Sequence, residues 1–152
     1  MKYDGVGKQV VHTLKYRGYK RVVGRLAAPL MLQVLGEGRF DAVVPVPLHR
    51  SRLRKRGFNQ AELLARGVAE KMKATVSDTL EVVHSSRDQV EPSAPQRRAN
   101  VAGAYAATEP LRGTILLVED IFTTGATMSA CAATLVRAGA EKAHALSLCR
   151  TV

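Results

Sequence analysis

Apolar residues recur at helical spacing in some segments of the chain and form unbroken runs in others. The helical spacing predicts helices at 6–14, 22–35, 60–72 and 128–136. The continuous run at 115–118 and the short segments rich in apolar residues at 40–47, 80–83 and 143–149 predict strands. Because strands alternate with helices, we expect an α/β fold with an open, mainly parallel sheet flanked by helices.

Residues 84–101 interrupt this pattern with two prolines, few large apolar side chains and several charges. A stretch of this length without regular structure in a compact domain is usually functional. We therefore predict a flexible lid loop here. An exposed loop whose charges only aid solubility is the alternative.

Length and composition indicate one soluble domain that spans 1–152, with 46% hydrophobic and 24% charged residues. No apolar run is long enough to span a membrane, and the first residues lack the apolar segment of a secretory signal. We expect a cytoplasmic protein. Cys131 and Cys149 fall on predicted buried faces and are expected to be reduced, and the widely spaced histidines argue against a metal site built by the protein.

The charge balance favours anionic partners, since 23 Lys and Arg against 13 Asp and Glu give a net charge of +10. Nucleotides, pyrophosphate esters and single-stranded nucleic acid all fit such a field. Solubility alone would explain the same surface. Charge by itself therefore does not choose between these partners.

The segment VEDIFTTGAT, residues 118–127, carries the most specific chemistry. Glu119 and Asp120 follow a predicted central strand, at the sheet edge where open α/β folds bind ligands. The turn after them combines hydroxyls, a flexible glycine and the free amides of a helix start, which together suit a phosphate. Its members are Thr123, Thr124, Gly125, Ala126 and Thr127. Adjacent carboxylates would repel a second phosphate but accept hydrogen bonds from vicinal hydroxyls, so a ribose 5-phosphate fits this arrangement.

This segment resembles the phosphoribosyl pyrophosphate motif of the type I phosphoribosyltransferases. Further motifs resemble the competence protein ComF family: PVP at 45–47, RGFNQA at 56–61, SRDQ at 86–89 and RRAN at 97–100. The resemblance covers nearly the whole chain. Two differences stand out: Ser86 replaces the usual threonine, and no cysteine-rich zinc module precedes Tyr3, so we expect a short member or a trimmed chain.

The resemblance implies a role for the basic stretch after the first strand, which we expect to be a loop that holds pyrophosphate. Arg50 and Arg56 are the candidates there, although a solvated charge run or a nucleic-acid contact explains the same residues. From the lid, the resemblance implies contacts by Gln89, Arg97 and Asn100. It also implies that Mg²⁺ is bound together with the substrate.

Two functions remain open at this point. The first is a phosphoribosyltransferase that binds phosphoribosyl pyrophosphate and transfers the phosphoribosyl group to an unidentified acceptor, with Glu119 and Asp120 as catalytic residues. The second is a non-catalytic accessory of DNA uptake that senses nucleotides or binds single-stranded DNA. The oligomeric state stays open between a monomer and a homodimer.

Overall fold

The computed structural model describes residues 1–14, 20–35, 38–83 and 103–151. The predicted lid lies outside these residues, and so do Gln89, Arg97 and Asn100. The helices are α1 (Gly5–Leu14), α2 (Lys20–Leu32), α3 (Arg50–Arg56), α4 (Gln60–Met72) and α5 (Ala126–Arg137). The strands are β1 (Ala42–Pro45), β2 (Thr75–Val76), β3 (Leu80–Val82), β4 (Tyr105–Ala107), β5 (Thr114–Phe122) and β6 (Lys142–Arg150).

Four of these strands form a parallel sheet in the order β2-β1-β5-β6. β5 is central because its neighbours on both sides are strands, which explains why its residues 115–118 are all apolar and buried. Strands β3 and β4 pair separately as an antiparallel ribbon. The predicted α/β fold with a mainly parallel sheet is therefore confirmed.

The sheet is covered on both faces. Val43, Leu116 and Val118 point to one face and pack with α1, α2 and α4. Ile115 and Leu117 point to the other face and pack with α5. Helices therefore shield these five residues of β1 and β5 from solvent. The polar side chains that follow them on β5 reach solvent at the carboxyl edge of the sheet.

The basic stretch after β1 is a helix and not the loop expected from the sequence. α3 has the sequence RSRLRKR and no buried residue, so the sequence contains no apolar stripe that would predict this helix. The His49 side chain accepts a hydrogen bond from the Ser51 amide at the start of α3, and Gly57 ends it with φ 75°. Local capping therefore defines this helix.

Three further expectations are wrong in detail. Leu26, Leu30 and Val34 belong to the predicted apolar stripe of the second helix, yet they are 55–76% exposed, because Ala27, Ala28 and Met31 form the face that packs. Val136 is likewise exposed on α5. The sequence suggests that Asn59 caps α4 and that Gln60 lies on the surface, yet Gln60 is 2% exposed. Helical spacing identified the helices but did not fix their rotation.

The ribbon is held at its base by a buried hydroxyl. Thr79 is 1% exposed, and its Oγ1 donates to Glu109 Oε1 at 3.0 Å and contacts Ser77 Oγ. The Thr79 carbonyl accepts from the Thr108 amide at 2.8 Å. These bonds tie the start of β3 to the end of β4, and thereby set the position of the side chains that the ribbon presents to the sheet edge.

Candidate functional site

Glu119 and Asp120 lie near the end of β5, inside the strand, because β5 continues to Phe122. Both are half-buried. Adjacent residues of a strand point to opposite faces of the sheet, so the two carboxylates leave β5 in different directions. The Asp120 carboxylate also accepts a hydrogen bond from the Ile121 amide at 3.0 Å. The two acids thus border the strand end from both sides.

The environment of Glu119 favours its protonated form. Burial and, to a smaller extent, the neighbouring Asp120 carboxylate together raise the pKa of Glu119 to about 7. The Glu119 carboxylate also acts on the buried Cys131 thiol of α5. Burial is the main cause that raises the pKa of this thiol, and Glu119 is the second. A carboxyl group of this kind changes its charge near neutral pH, which is a common property of functional sites.

The threonine turn lies next to these acids and is accessible. Thr123 and Thr124 are exposed, and Gly125, Ala126 and Thr127 are half-buried. Gly125 occupies the N-cap position of α5 and has no side chain to accept from the first-turn amides. The Ala126 amide makes a long 3.4 Å bond to Thr124 Oγ1. The turn can therefore present amides, hydroxyls and the positive end of a helix to an anion.

Phe122 explains why residue 125 is glycine. A Cβ added to Gly125 would lie 2.7 Å from Phe122 Cζ, and the Gly125 φ of 76° is itself unfavourable for other residues. The Phe122 ring therefore packs directly against the turn at Gly125. Nothing in a single sequence reveals this contact.

Two more residues near the turn were missed by sequence reasoning. Tyr105 reaches the site from β4: burial raises its pKa to about 12, while a hydrogen bond with Thr127 acts in the opposite direction. Arg150, at the end of β6, lies over the Phe122 ring with its Cζ 5.5 Å from the ring centroid. Neither residue belongs to a motif, so the fold alone brings them to the site.

The predicted pyrophosphate arginines lie on α3, which follows β1 at the same edge of the sheet. Arg50 is exposed and lines a cavity of about 200 Å³ with Asn59 and Glu62. Arg56 is half-buried at the last position of the helix. Arg52, also on α3, lies close enough to Tyr105 to lower the pKa of that phenol slightly against the larger effect of burial.

A second cavity, of about 490 Å³, runs along α5 from the threonine turn. It is lined by Gly103, Thr124, Ala126, Ser129, Ala130, Ala133 and Arg137. Glu119 and Asp120 line neither this cavity nor the one beside Arg50. The larger cavity therefore reaches the threonine turn but not the acid pair.

Within residues 1–14, 20–35, 38–83 and 103–151, no three His, Cys, Asp or Glu side chains converge as metal ligands. In the same part of the chain, none of the helices has the length and apolarity needed to cross a membrane. Cys131 and Cys149 are both buried free thiols, as expected.

Comparison with known sequences identifies relatives along most of the chain. DNA utilization protein YhgH from Salmonella typhi is 34% identical over 151 residues, which cover 94% of this chain and 66% of that protein. Competence protein F from Haemophilus influenzae is 30% identical over 116 residues, covering 72% of this chain and 50% of that protein. The chain thus spans slightly less than two thirds of the length of the first relative and half of the length of the second. No protein-family model matches it.

Solved structures share the fold. The allosteric regulatory enzyme of purine biosynthesis matches 83% of this chain with a TM-score of 0.54 and 22% identity, over 26% of its own length. Glutamine phosphoribosylpyrophosphate amidotransferase from B. subtilis matches 83% of this chain with a TM-score of 0.52 and 21% identity, over 25% of its own length. The chain is therefore a homologue of DNA utilization protein YhgH and competence protein F, and it has the fold of the type I phosphoribosyltransferases.

Proposed function

We propose that the chain binds phosphoribosyl pyrophosphate at the carboxyl edge of β5 and transfers its phosphoribosyl group to an acceptor. One observation carries the proposal: two half-buried carboxylates lie near the end of the central strand, which leads into an accessible threonine turn that opens α5. A phosphate subsite alone would accept many phosphomonoesters. The adjacent acids select a sugar that offers hydroxyl donors beside its phosphate.

In this proposal the amides and hydroxyls of the threonine turn bind the 5′-phosphate of the ribose. Asp120 and ionised Glu119 accept hydrogen bonds from the ribose hydroxyls. When the bond between C1 and pyrophosphate breaks, positive charge develops on the sugar ring, and nearby carboxylates stabilise it electrostatically. Cations of α3 bind the pyrophosphate at the end of β1, which is the adjacent strand.

The residues at this edge fit Mg²⁺ that is carried mainly by the substrate. Glu119 and Asp120 supply hard oxygen donors, but the described residues do not form a cage of three ligands. Mg²⁺ commonly retains waters and binds through one or two carboxylates and substrate phosphates. When bound, it would offset the negative charge of the pyrophosphate.

Calorimetric titration with phosphoribosyl pyrophosphate and Mg²⁺ tests this function, on the wild type and on Asp120→Asn. Loss of a charged hydrogen-bond acceptor should weaken binding by about tenfold or more. Glu141→Gln is the matched control because it removes one exposed negative charge just before β6, at the opposite edge of the sheet. Absence of wild-type binding, or equal affinity in all three proteins, contradicts the proposal. Release of pyrophosphate on addition of candidate nitrogen acceptors then tests transfer.

A second candidate function is binding of single-stranded DNA. It is favoured by the names of the relatives, DNA utilization protein and competence protein F, and by the exposed cations of α3. Such binding should weaken steeply with salt, because it releases counterions from the phosphate backbone. Electrophoretic retardation across a salt series, with and without phosphoribosyl pyrophosphate, measures it. If the wild type binds single-stranded DNA but does not bind phosphoribosyl pyrophosphate, the result favours this second function.

A further inference from the structure

Arg150 lies beside the threonine turn without belonging to any motif. β6 pairs with β5 in parallel, and Arg150 is the register partner of Phe122. Its guanidinium carbon is 5.5 Å from the centroid of the Phe122 ring. The same ring lies so close to Gly125 that a Cβ added there would be 2.7 Å from Phe122 Cζ. A single aromatic ring therefore touches both the phosphate-binding turn and a cation.

The backbone of Arg150 is held firmly. Its amide donates to the Met1 carbonyl and its carbonyl accepts from the Tyr3 amide, both at 2.8 Å. Thr151 continues this anchoring, since its amide donates to the Phe122 carbonyl at 2.9 Å. The side chain is exposed. A fixed backbone with an exposed guanidinium lying over a ring limits the positions that the charge can take.

The electrostatics of this corner point to an anion. Phe122 packs on the α5 side of the core, and its ring lies against both Gly125, the N-cap of α5, and the Arg150 guanidinium. A positive side chain near the positive end of a helix is unfavourable by itself. An anion between the two would relieve this repulsion. The first turn of α5 also contains no acidic residue to do so.

We propose that Arg150 forms a wall of the phosphate subsite and binds the 5′-phosphate of ribose together with the amides that open α5. This inference rests on the proposed function and deepens it. It makes Arg150 specific for the 5′-phosphate end of the substrate, while the cations of α3 bind the pyrophosphate end. The site then prefers a dianionic phosphomonoester to an unphosphorylated sugar.

Three ligands distinguish binding of the 5′-phosphate end of the substrate from binding of its pyrophosphate end. They are ribose 5-phosphate, inorganic pyrophosphate with Mg²⁺, and phosphoribosyl pyrophosphate with Mg²⁺. Arg150→Met should weaken ribose 5-phosphate and phosphoribosyl pyrophosphate by the same factor, about threefold to fivefold for an exposed ion pair. Pyrophosphate affinity should not change. Arg112→Met is the matched control, because Arg112 is exposed just before β5, at the opposite edge of the sheet, and its loss changes the net charge equally.

If the wild type binds these ligands and Arg150→Met behaves like Arg112→Met, the Arg150 inference is wrong and the proposed function stands. If the wild type binds none of them, the proposed function fails and this inference fails with it. A measurement on the wild type alone avoids any folding defect of the variant. The side-chain Nε–H signal of Arg150 in a nuclear magnetic resonance spectrum should shift with ribose 5-phosphate and not with ribose. An unchanged signal overturns the inference.

Discussion

Replacing Glu119 by Gln should stabilise the protein at alkaline pH, even though it alters a proposed catalytic residue. Glu119 has a pKa of about 7 against an ordinary value of 4.5, chiefly because it is buried. Below pH 4.5 the carboxyl group is protonated in both the native and the unfolded state. Between pH 4.5 and 7 the unfolded chain releases this proton first, so native stability falls as the pH rises. Above pH 7 the loss is complete.

The size of this loss follows from the difference in proton affinity. A tenfold change in proton affinity corresponds to about 1.4 kcal/mol, so the ionised carboxylate costs the native state at most about 3 kcal/mol at pH 8. Gln fills a similar volume and carries no charge. Its advantage over Glu should therefore be near zero at pH 4 and approach that upper limit at pH 8.

Urea unfolding of the two proteins at pH 4, 6 and 8 measures the difference in free energy of unfolding. Glu141→Gln removes the same charge at an exposed position and controls for the change in net charge. A Glu119→Gln variant that gains nothing between pH 4 and 8, or gains no more than the control, would refute the reasoning. The same variant should bind phosphoribosyl pyrophosphate less tightly, which would show stability exchanged for function.

Two further variants test the support of the site. Gly125→Ala should lose about 1–3 kcal/mol of stability, because it combines a positive φ with a clash against Phe122. Gly103→Ala is its control, because Gly103 has a φ of 87° but no atom within 4 Å of an added Cβ. Equal melting temperatures of the two variants would argue against the clash with Phe122. Thr79→Val should cost about 1 kcal/mol by removing the hydroxyl that donates to Glu109 at the ribbon base, and a variant as stable as wild type in urea would contradict that role.

The sequence predicted the central part of this fold because its signals are local. Residues 115–118 are continuously apolar as a central parallel strand requires, and Asn59 caps α4 by accepting from the Ala61 amide at 3.1 Å. The acids and the threonine turn follow from chain connectivity alone. The short strands β2 and β4 were missed, since two or three residues carry no usable periodicity.

Contacts between distant segments could not be predicted in the same way. Tyr105 meets Thr127 and Arg150 meets Phe122 only after the strands have taken their order in the sheet. α3 was interpreted as a loop because its stability comes from caps and not from a buried face. The tertiary arrangement therefore adds a second set of candidate residues around a motif that the sequence already contained.

The central claim is that the start of α5 binds the phosphate of a ribose whose hydroxyls face the acids of β5. Backbone amide signals recorded by nuclear magnetic resonance during titration with phosphoribosyl pyrophosphate and Mg²⁺ test it most directly. We predict that the signals of Asp120 and of Thr123 to Thr127 shift first and saturate together. If those signals stay in place while others move, or if none moves, the claim is contradicted.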